Sequence, residues 1–285
     1  MAISRREILW GMGAAAVGSA VMPLVGQALQ STGKVVRNGR LKQSVARWCY
    51  NKIPLPEFCK AVADMGLPAI DLLDEKEWEV AAQYGLICSL GWRTGGGGIP
   101  DGLNNKANHD AIIKGLERSL PLAAKAKVPN LIAFFGNRKG IPDAEAADNC
   151  ILGLNRIKKA AEDTGVNVVV ELLNSKVDHK DYHGDHTPFG VRIIKAVDSP
   201  RVKLLYDIYH MQIMEGDVIR TIRDNIKYIG HFHTGGVPGR NELDDTQELN
   251  WRTVCKAILD TGFTGYVAHE FVPKRDPITS LREAV

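Results

Sequence analysis

The chain has 285 residues, of which 45% are hydrophobic and 24% charged, a composition typical of a globular protein that can bury a large core. Its formal net charge is only +3, and no run of lysine or arginine indicates a nucleic-acid-binding surface, so nucleic-acid partners are not expected. No two cysteines form a Cys-x-x-Cys pair, so we expect buried free thiols rather than a disulfide framework: Cys49, Cys59, Cys88, Cys150 and Cys255.

The first thirty residues have the pattern of an export signal. Arg5 and Arg6 precede a mildly apolar run, rich in glycine and alanine, that extends to Leu24 and is followed by the small residues Gly26 and Ala28. This order resembles a twin-arginine signal and predicts a periplasmic or otherwise exported protein. The alternative is a single N-terminal membrane anchor, but the run is short and glycine-rich for a stable span. We therefore expect contact with a membrane only through an uncleaved signal.

Residues 31–44 are interpreted as a linker, and residues 45–285 as a single catalytic domain in which strand-like runs alternate with helical patterns. The predicted strands are 45–50, 69–74, 86–92, 130–136, 166–173, 202–207, 228–233 and 265–270. The predicted helices are 54–66, 109–127, 143–163, 188–198, 217–225 and 251–261, with a short final helix. Eight strand–helix units in about 240 residues predict an α/β fold, a (β/α)8 TIM barrel. A doubly wound sheet is the alternative, but no Gly-x-Gly-x-x-Gly follows any strand.

The last four predicted strands each carry a residue of metal-ligand type near the carboxyl end, where barrels build their active sites: Glu171, Asp207, His233 and Glu270. Acidic side chains inside apolar strands are costly to bury unless they are paired or bind a cation. Three carboxylates and one imidazole suit a single Mn²⁺, Mg²⁺ or Co²⁺ ion. The alternative is that each acid caps the following helix or pairs with arginine or lysine. Such a structural role would then be needed separately on each strand.

The stretch after strand seven adds features of a small-molecule site. Glycines and a Pro-Gly turn follow His233 and permit close approach of the backbone to a ligand, and Arg240 offers a planar, permanently charged fork for an oxygen ligand. His231 shares a strand face with His233, so one can bind a metal while the other packs against it or orients it, and we favour His233 as the ligand. His269 points to the opposite face from Glu270 and is expected to be structural.

The chain resembles the xylose isomerase-like superfamily, specifically its hydroxypyruvate isomerase-like and ketose 3-epimerase branch. The resemblance covers about 45–272 and rests on four motifs: Glu171-x-x-Asn174, Asp207-Ile-Tyr-His210-Met-Gln-x-Met-Glu-Gly216, Gly230-His-Phe-His233-x-x-x-x-Pro-Gly-Arg240 and Gln247-Glu-Leu-Asn-Trp251. It implies one divalent metal bound by the four strand-end residues named above. It also implies substrate binding by His210, Arg240 and Asn174. His233 matches the epimerases, whereas hydroxypyruvate isomerases carry glutamine there.

The resemblance implies an isomerase or epimerase of a sugar or hydroxy-carbonyl compound, in which Glu171 and Glu270 remove and return a proton through an enediolate. Two alternatives remain: a metal-dependent lyase or hydrolase acting on 3-oxo-sugar glycosides, and a non-catalytic sugar-binding barrel. An endonuclease of the same superfamily is disfavoured, because it would need more metal ligands and a basic face. The sequence leaves the oligomeric state open, a homo-oligomer included.

Overall fold

A computed structural model describes residues 33–285, and the predicted export signal at 1–30 lies outside the described residues. The described chain forms a ring of eight parallel strands. In chain order they are β1 Lys42–Val45, β2 Ala69–Ile70, β3 Ile87–Cys88, β4 Asn130–Phe134, β5 Asn167–Leu172, β6 Val202–Asp207, β7 Ile229–Thr234 and β8 Tyr266–His269.

Strand pairing closes the ring. Six strands form one hydrogen-bonded sheet in the order β1-β8-β7-β6-β5-β4, and β2 pairs with β3. Single parallel bridges complete the circle, from Ala46 to Asp71, from Leu73 to Gly91 and from Gly91 to Leu131. The predicted (β/α)8 barrel is therefore confirmed.

Nine helices are present in the described residues: α1 Leu55–Met65, α2 Trp78–Gln83, α3 His109–Lys125, α4 Asp143–Thr164, α5 Thr187–Val197, α6 Ile208–Met214, α7 Val218–Asn225, α8 Trp251–Asp260 and α9 Pro277–Ala284. Each of the six helices predicted with stated bounds corresponds to an observed helix, and the predicted and observed ends differ by at most two residues. Local signals explain this accuracy. For example, α1 ends at Gly66 in the left-handed conformation (φ 88°), and the Asn250 side chain accepts the Thr253 N–H at the start of α8.

The first strand lies earlier than predicted. The predicted strand 45–50 begins at the last residue of β1, and Arg47–Tyr50 is instead a 3-10 turn. The Arg47 guanidinium donates to the carbonyls of Tyr50 and Ile53 and closes that turn. A short apolar run does not distinguish strand from turn by periodicity, which explains the error. The barrel therefore begins inside the segment 31–44 that was interpreted as a linker.

The five cysteines are free: Cys59, Cys88 and Cys150 are buried, while Cys49 and Cys255 are partly exposed. The expectation of free thiols is confirmed, and three of them are buried as expected. Between residues 33 and 285, no helix has the length and apolar character needed to cross a membrane.

Candidate metal centre and substrate site

The carboxyl end of the barrel brings together the four side chains predicted as metal ligands. One ligand atom from each of Glu171, Asp207, His233 and Glu270 lies within 4.8 Å of the others, and no residue in the set is more than 5% exposed. The strand register explains the convergence, because Asp207 on β6 pairs directly with His233 on β7. Adjacent parallel strands thus end at the same level and present their last inward-facing residues to one point.

The His233 ring is oriented as a metal ligand would be. Its Nδ1 atom lies 2.7 Å from Glu270 Oε2, 3.3 Å from Glu171 Oε1 and 4.0 Å from Asp207 Oδ2, but its geometry gives no hydrogen bond. Its Nε2 atom lies 2.9 Å from Asp71 Oδ2. Burial would lower the pKa of His233, but Glu270 and the contacts of the ring with Asp71 and Glu171 raise it well above its ordinary value, so the Nδ1 position carries positive charge among three carboxylates. A divalent ion that took the place of the Nδ1 proton would meet the same three carboxylates, while Nε2–H still donated to Asp71. The donor set therefore fits a divalent metal ion.

The cluster is strongly acidic and is held away from water. Burial raises the pKa of Glu171, and burial raises the pKa of Asp207 to about 7 despite the opposing effect of Arg240. Burial would also raise the pKa of Glu270, but Arg240 and His233 lower it well below its ordinary value. Positive charge at this point stabilises all three carboxylates, as a bound cation would.

Arg240 supplies part of that charge. Its Nη2 atom lies 3.0 Å from Asp207 Oδ2 and also contacts Glu270 Oε2, while its Nε–H donates to the Glu270 carbonyl. The guanidinium carbon lies 5.6 Å from the ring centroid of Trp48 and 5.0 Å from that of Tyr209. Arg240 thus lies against two aromatic rings at the edge of the cluster.

Two of the three acids also fit the alternative weighed from the sequence. Asp207 caps α6, since its Oδ1 atom accepts the His210 N–H at 3.2 Å, and both Asp207 and Glu270 pair with Arg240. Glu171 has neither a capping hydrogen bond nor an arginine partner among the described contacts. A structural role therefore does not account for the whole cluster.

The contacts of His210 define its tautomer. The Asn174 amide is oriented by its oxygen, which accepts the N–H groups of Val177 and Asp178 at 2.9 and 3.0 Å. Its Nδ2 atom and its backbone N–H therefore both donate to His210 Nδ1, at 2.6 and 3.1 Å. The proton must then lie on His210 Nε2, which is 2.9 Å from Arg240 Nη1. Two donors face each other there, and an acceptor oxygen of a ligand would satisfy both.

The other predicted positions agree with this arrangement. Burial, reinforced by Arg240, lowers the pKa of His210 well below its ordinary value, so the ring is neutral. His269 lies outside the cluster, buried between Gln43 Oε1 at 2.8 Å and Thr234 Oγ1 at 3.1 Å, as expected for a structural residue. The structure thus brings Asn174, His210 and Arg240 together beside the carboxylates.

Sequence reasoning missed three residues that contact the cluster. Asp71, directly after β2, accepts from His233, and as an acid inside an apolar strand it met the criterion that identified the other acids. Trp48 donates its Nε1–H to Glu270 Oε1 at 2.6 Å. It was missed because residues 45–50 were predicted to be a strand, whereas Trp48 lies in a 3-10 turn. Tyr182 donates its hydroxyl to the Glu171 carbonyl at 2.9 Å, and no local pattern marks it.

Comparison with known sequences gives one family and several relatives. The sequence model of the xylose isomerase-like TIM barrel matches residues 54–285. The putative hydroxypyruvate isomerase of Homo sapiens is 31% identical over 176 residues, which are 60% of this chain and 64% of the relative. The 2-oxo-tetronate isomerase of Cupriavidus necator is 35% identical over 115 residues (40% and 44%), and the D-psicose 3-epimerase of Agrobacterium fabrum is 29% identical over 189 residues (60% and 61%). This chain thus matches between 44% and 64% of these relatives' own length.

Solved structures share the fold at lower identity. AP endonuclease, family 2, from Brucella melitensis superposes with a TM-score of 0.73 at 22% identity, over 85% of this chain and 97% of that one. D-psicose 3-epimerase in the presence of D-fructose gives a TM-score of 0.67 at 21% identity, over 86% and 90% of the two chains. These superpositions establish the barrel architecture and leave the chemistry to the site residues.

Proposed function

The chain belongs to the xylose isomerase-like TIM-barrel family, and we propose that it is a divalent-metal-dependent isomerase or epimerase of a small sugar or hydroxy-carbonyl compound. The names of the curated relatives, two isomerases and one epimerase, support this reaction class. The observation that carries the proposal is the convergence of three buried carboxylates on the Nδ1 atom of His233. Mn²⁺ and Mg²⁺ suit this oxygen-rich donor set, and Co²⁺ is also compatible.

The metal ligands would be Glu171, Asp207, His233 and Glu270. A divalent ion held there would polarise a substrate carbonyl and acidify the neighbouring C–H bond. The remaining work falls to side chains of this chain, which must hold the substrate and move one proton.

Glu171 and Glu270 are the proposed bases. Both carboxylates are buried beside the metal position, so a substrate held there would meet one proton acceptor from each. One glutamate would take the proton from carbon to give an enediolate. The other would return a proton, to the adjacent carbon in an isomerase or to the opposite face of the same carbon in an epimerase. Glu270 is oriented for this role by the Trp48 N–H and by Arg240.

His210, Arg240 and Asn174 would bind and orient the substrate. The Nε2–H of His210 and the Nη1–H of Arg240 converge on one position, where a substrate hydroxyl or carbonyl oxygen would accept from both. Asn174 would act through His210, because its backbone N–H and its Nδ2 atom both donate to His210 Nδ1 and so keep the His210 proton on Nε2. Donors prearranged in a buried site stabilise charge that develops on oxygen.

Solvent deuterium exchange followed by NMR tests the proposal. The protein is stripped with a chelator, supplied with Mn²⁺ or Mg²⁺ and given ketoses, hydroxypyruvate, 2-oxo-tetronate and 3-oxo-glycosides. We expect metal-dependent exchange at carbon with at least one substrate, and its loss in Glu171→Gln. Exchange that needs no metal would contradict the metal dependence. Cleavage products would indicate the lyase or hydrolase alternative, whereas sugar binding that survives Glu171→Gln without any exchange would indicate a non-catalytic barrel.

We further propose export through the twin-arginine route, with residues 1–30 as the signal and residues 45–285, extended to β1, as the catalytic domain. The paired residues Arg5 and Arg6 before an apolar run support this proposal. Fractionation of cells that express the full chain tests it. We expect mature protein outside the cytoplasm and cytoplasmic retention of the Arg5→Lys/Arg6→Lys variant, and equal distribution of both forms would contradict the proposal.

A further inference from the structure

A chain of polar side chains lies inside the barrel next to the carboxylate cluster. Its members come from four strands or strand ends and are 0% exposed: Ser44, Asp71, Ser89, His231 and His233. Barrel interiors are ordinarily filled with branched apolar side chains, and buried polar groups are costly unless they are hydrogen-bonded. A network of this size at this depth therefore indicates a specific role.

Asp71 is the centre of the network. Its Oδ2 atom lies 2.9 Å from His233 Nε2 and 3.1 Å from His231 Nε2, and its Oδ1 atom accepts from the Ser89 hydroxyl, which in turn contacts Ser44. One carboxylate oxygen within hydrogen-bond distance of both rings accepts from each of them, so each histidine presents a proton on Nε2.

We infer that Asp71 is a positioning residue that accepts the Nε2–H of His233 and so keeps the Nδ1 atom of that ring directed at the metal position. This inference rests on the proposed function, because it assigns Asp71 to the same metal centre. The two nitrogens of His233 both face carboxylates, Asp71 on one side and Glu171 and Glu270 on the other. In a neutral imidazole the proton can lie on either side, and only one choice leaves a metal-binding lone pair.

A ring that binds a metal through Nδ1 must keep its one proton on Nε2. Without Asp71 the Nε2–H would have no acceptor, and a neutral ring would instead keep its proton on Nδ1, 2.7 Å from Glu270 Oε2, where the metal would have to bind. Carboxylates that orient metal-binding histidines in this way typically contribute about 10- to 100-fold in metal affinity.

His231 has a different position in the same network. It shares the Oδ2 atom of Asp71, but its own Nδ1 atom has no hydrogen-bond partner and lies outside the carboxylate cluster. His231 packs edge-on against His233, with ring centroids 5.2 Å apart, which agrees with the sequence-based expectation that one of the two histidines packs against the other or orients it. The group that accepts from His233 is Asp71, and His231 is a second donor to it.

Mn²⁺ affinity, measured by EPR of the free ion, tests the inference in the full chain. Asp71→Leu has a similar shape and removes the acceptor, and we expect it to weaken Mn²⁺ binding by about 10- to 100-fold. Asp71→Asn can still offer one oxygen to His233, so we expect a smaller loss. Ser119→Ala is the matched control: it removes a buried hydrogen bond, from the Thr94 N–H, that lies outside the network, and its affinity should stay within about threefold of wild type.

The tautomer is read directly from long-range ¹H–¹⁵N spectra of the histidine rings in the Zn²⁺-loaded wild-type protein. We expect the proton of His233 on Nε2 and the metal on Nδ1, and the opposite assignment would overturn the inference even if Asp71→Leu does not fold. Mn²⁺ binding by Asp71→Leu that equals wild type would also overturn it. Absence of Mn²⁺ binding in wild type, or binding that is unchanged in Glu171→Gln, would refute the proposed function itself and this inference with it.

Discussion

The two halves of the barrel contribute differently to the site. In the second half, β5 to β8 have four to six residues each, and each strand or strand end provides one predicted metal ligand. In the first half, β2 and β3 have two residues each and connect to their neighbours partly through single bridges. That half provides no member of the cluster but provides Trp48 and Asp71, which contact Glu270 and His233. One half thus presents the ligand atoms, and the other orients them.

The largest expected effect comes from the second half. Glu270→Gln removes both a proposed ligand and a proposed base, so we expect metal-dependent proton exchange to fall by about 10³-fold or more. Exchange rates by NMR give the measurement. Glu248→Gln changes an exposed glutamate whose side chain, among the described hydrogen bonds, accepts only from the Gln212 side chain, and this variant should exchange like wild type. An equal fall in the exchange rate of both variants would show that the proposed ligands of the second half are not the catalytic site.

The seam between the halves gives a pH-dependent prediction. His269 on β8 is buried against Gln43 on β1, and burial lowers its pKa from 6.5 to about 4. The unfolded chain then binds a proton that the folded chain does not, so this contribution to stability is intact above pH 6.5 and is lost as the pH falls towards 4. Between pH 7.5 and pH 5 the loss should be about 2 kcal/mol.

Urea unfolding at the two pH values measures the effect of His269. His269→Gln can keep hydrogen bonds to the same neighbours but cannot take up a proton. Its free energy of unfolding should therefore change less between pH 7.5 and pH 5 than that of wild type, by about 2 kcal/mol. A parallel decline in the two proteins would exclude His269 as the source.

Trp48 tests the orienting role of the first half directly. Trp48→Phe keeps an aromatic ring beside Arg240 but removes the N–H that Glu270 Oε1 accepts at 2.6 Å. We expect about a tenfold fall in the exchange rate, in line with the loss of one hydrogen bond to a charged group. Stability should change little, because Trp48 is 40% exposed. Trp78→Phe, which removes an indole N–H bound to the Leu73 carbonyl rather than to a proposed metal ligand, is the matched control for the exchange rate.

The same division explains what the sequence could predict. The ligands of the second half lie at the ends of long apolar strands, where a single acid or imidazole is conspicuous, and parallel register brings them together. Trp48 and Tyr182 act from turns and loops, whose side-chain direction depends on tertiary packing. Asp71 could have been found, since it is an acid in an apolar strand. Its partner on β7, 162 positions away, could not be deduced from pattern alone.

The smallest expected effect is on stability, at two glycines. One lies inside the first half of the barrel, and the other lies at the boundary just before β5. Gly66 after α1 and Gly165 after α4 both end a helix in the left-handed conformation, with φ of 88° and 72°. Alanine at either position should cost about 1 kcal/mol, because a Cβ atom is disfavoured there. At Gly66 the Cβ would also lie 2.8 Å from the flexible Lys34 side chain, whereas at Gly165 the nearest atom is 3.8 Å away. Urea unfolding should therefore show an equal or slightly larger loss for Gly66→Ala, with Mn²⁺ affinity unchanged in both. If Gly66→Ala alone lowered the Mn²⁺ affinity, backbone strain in the first half would reach the proposed metal ligands. The side-chain contacts of Trp48 and Asp71 do not require such an effect.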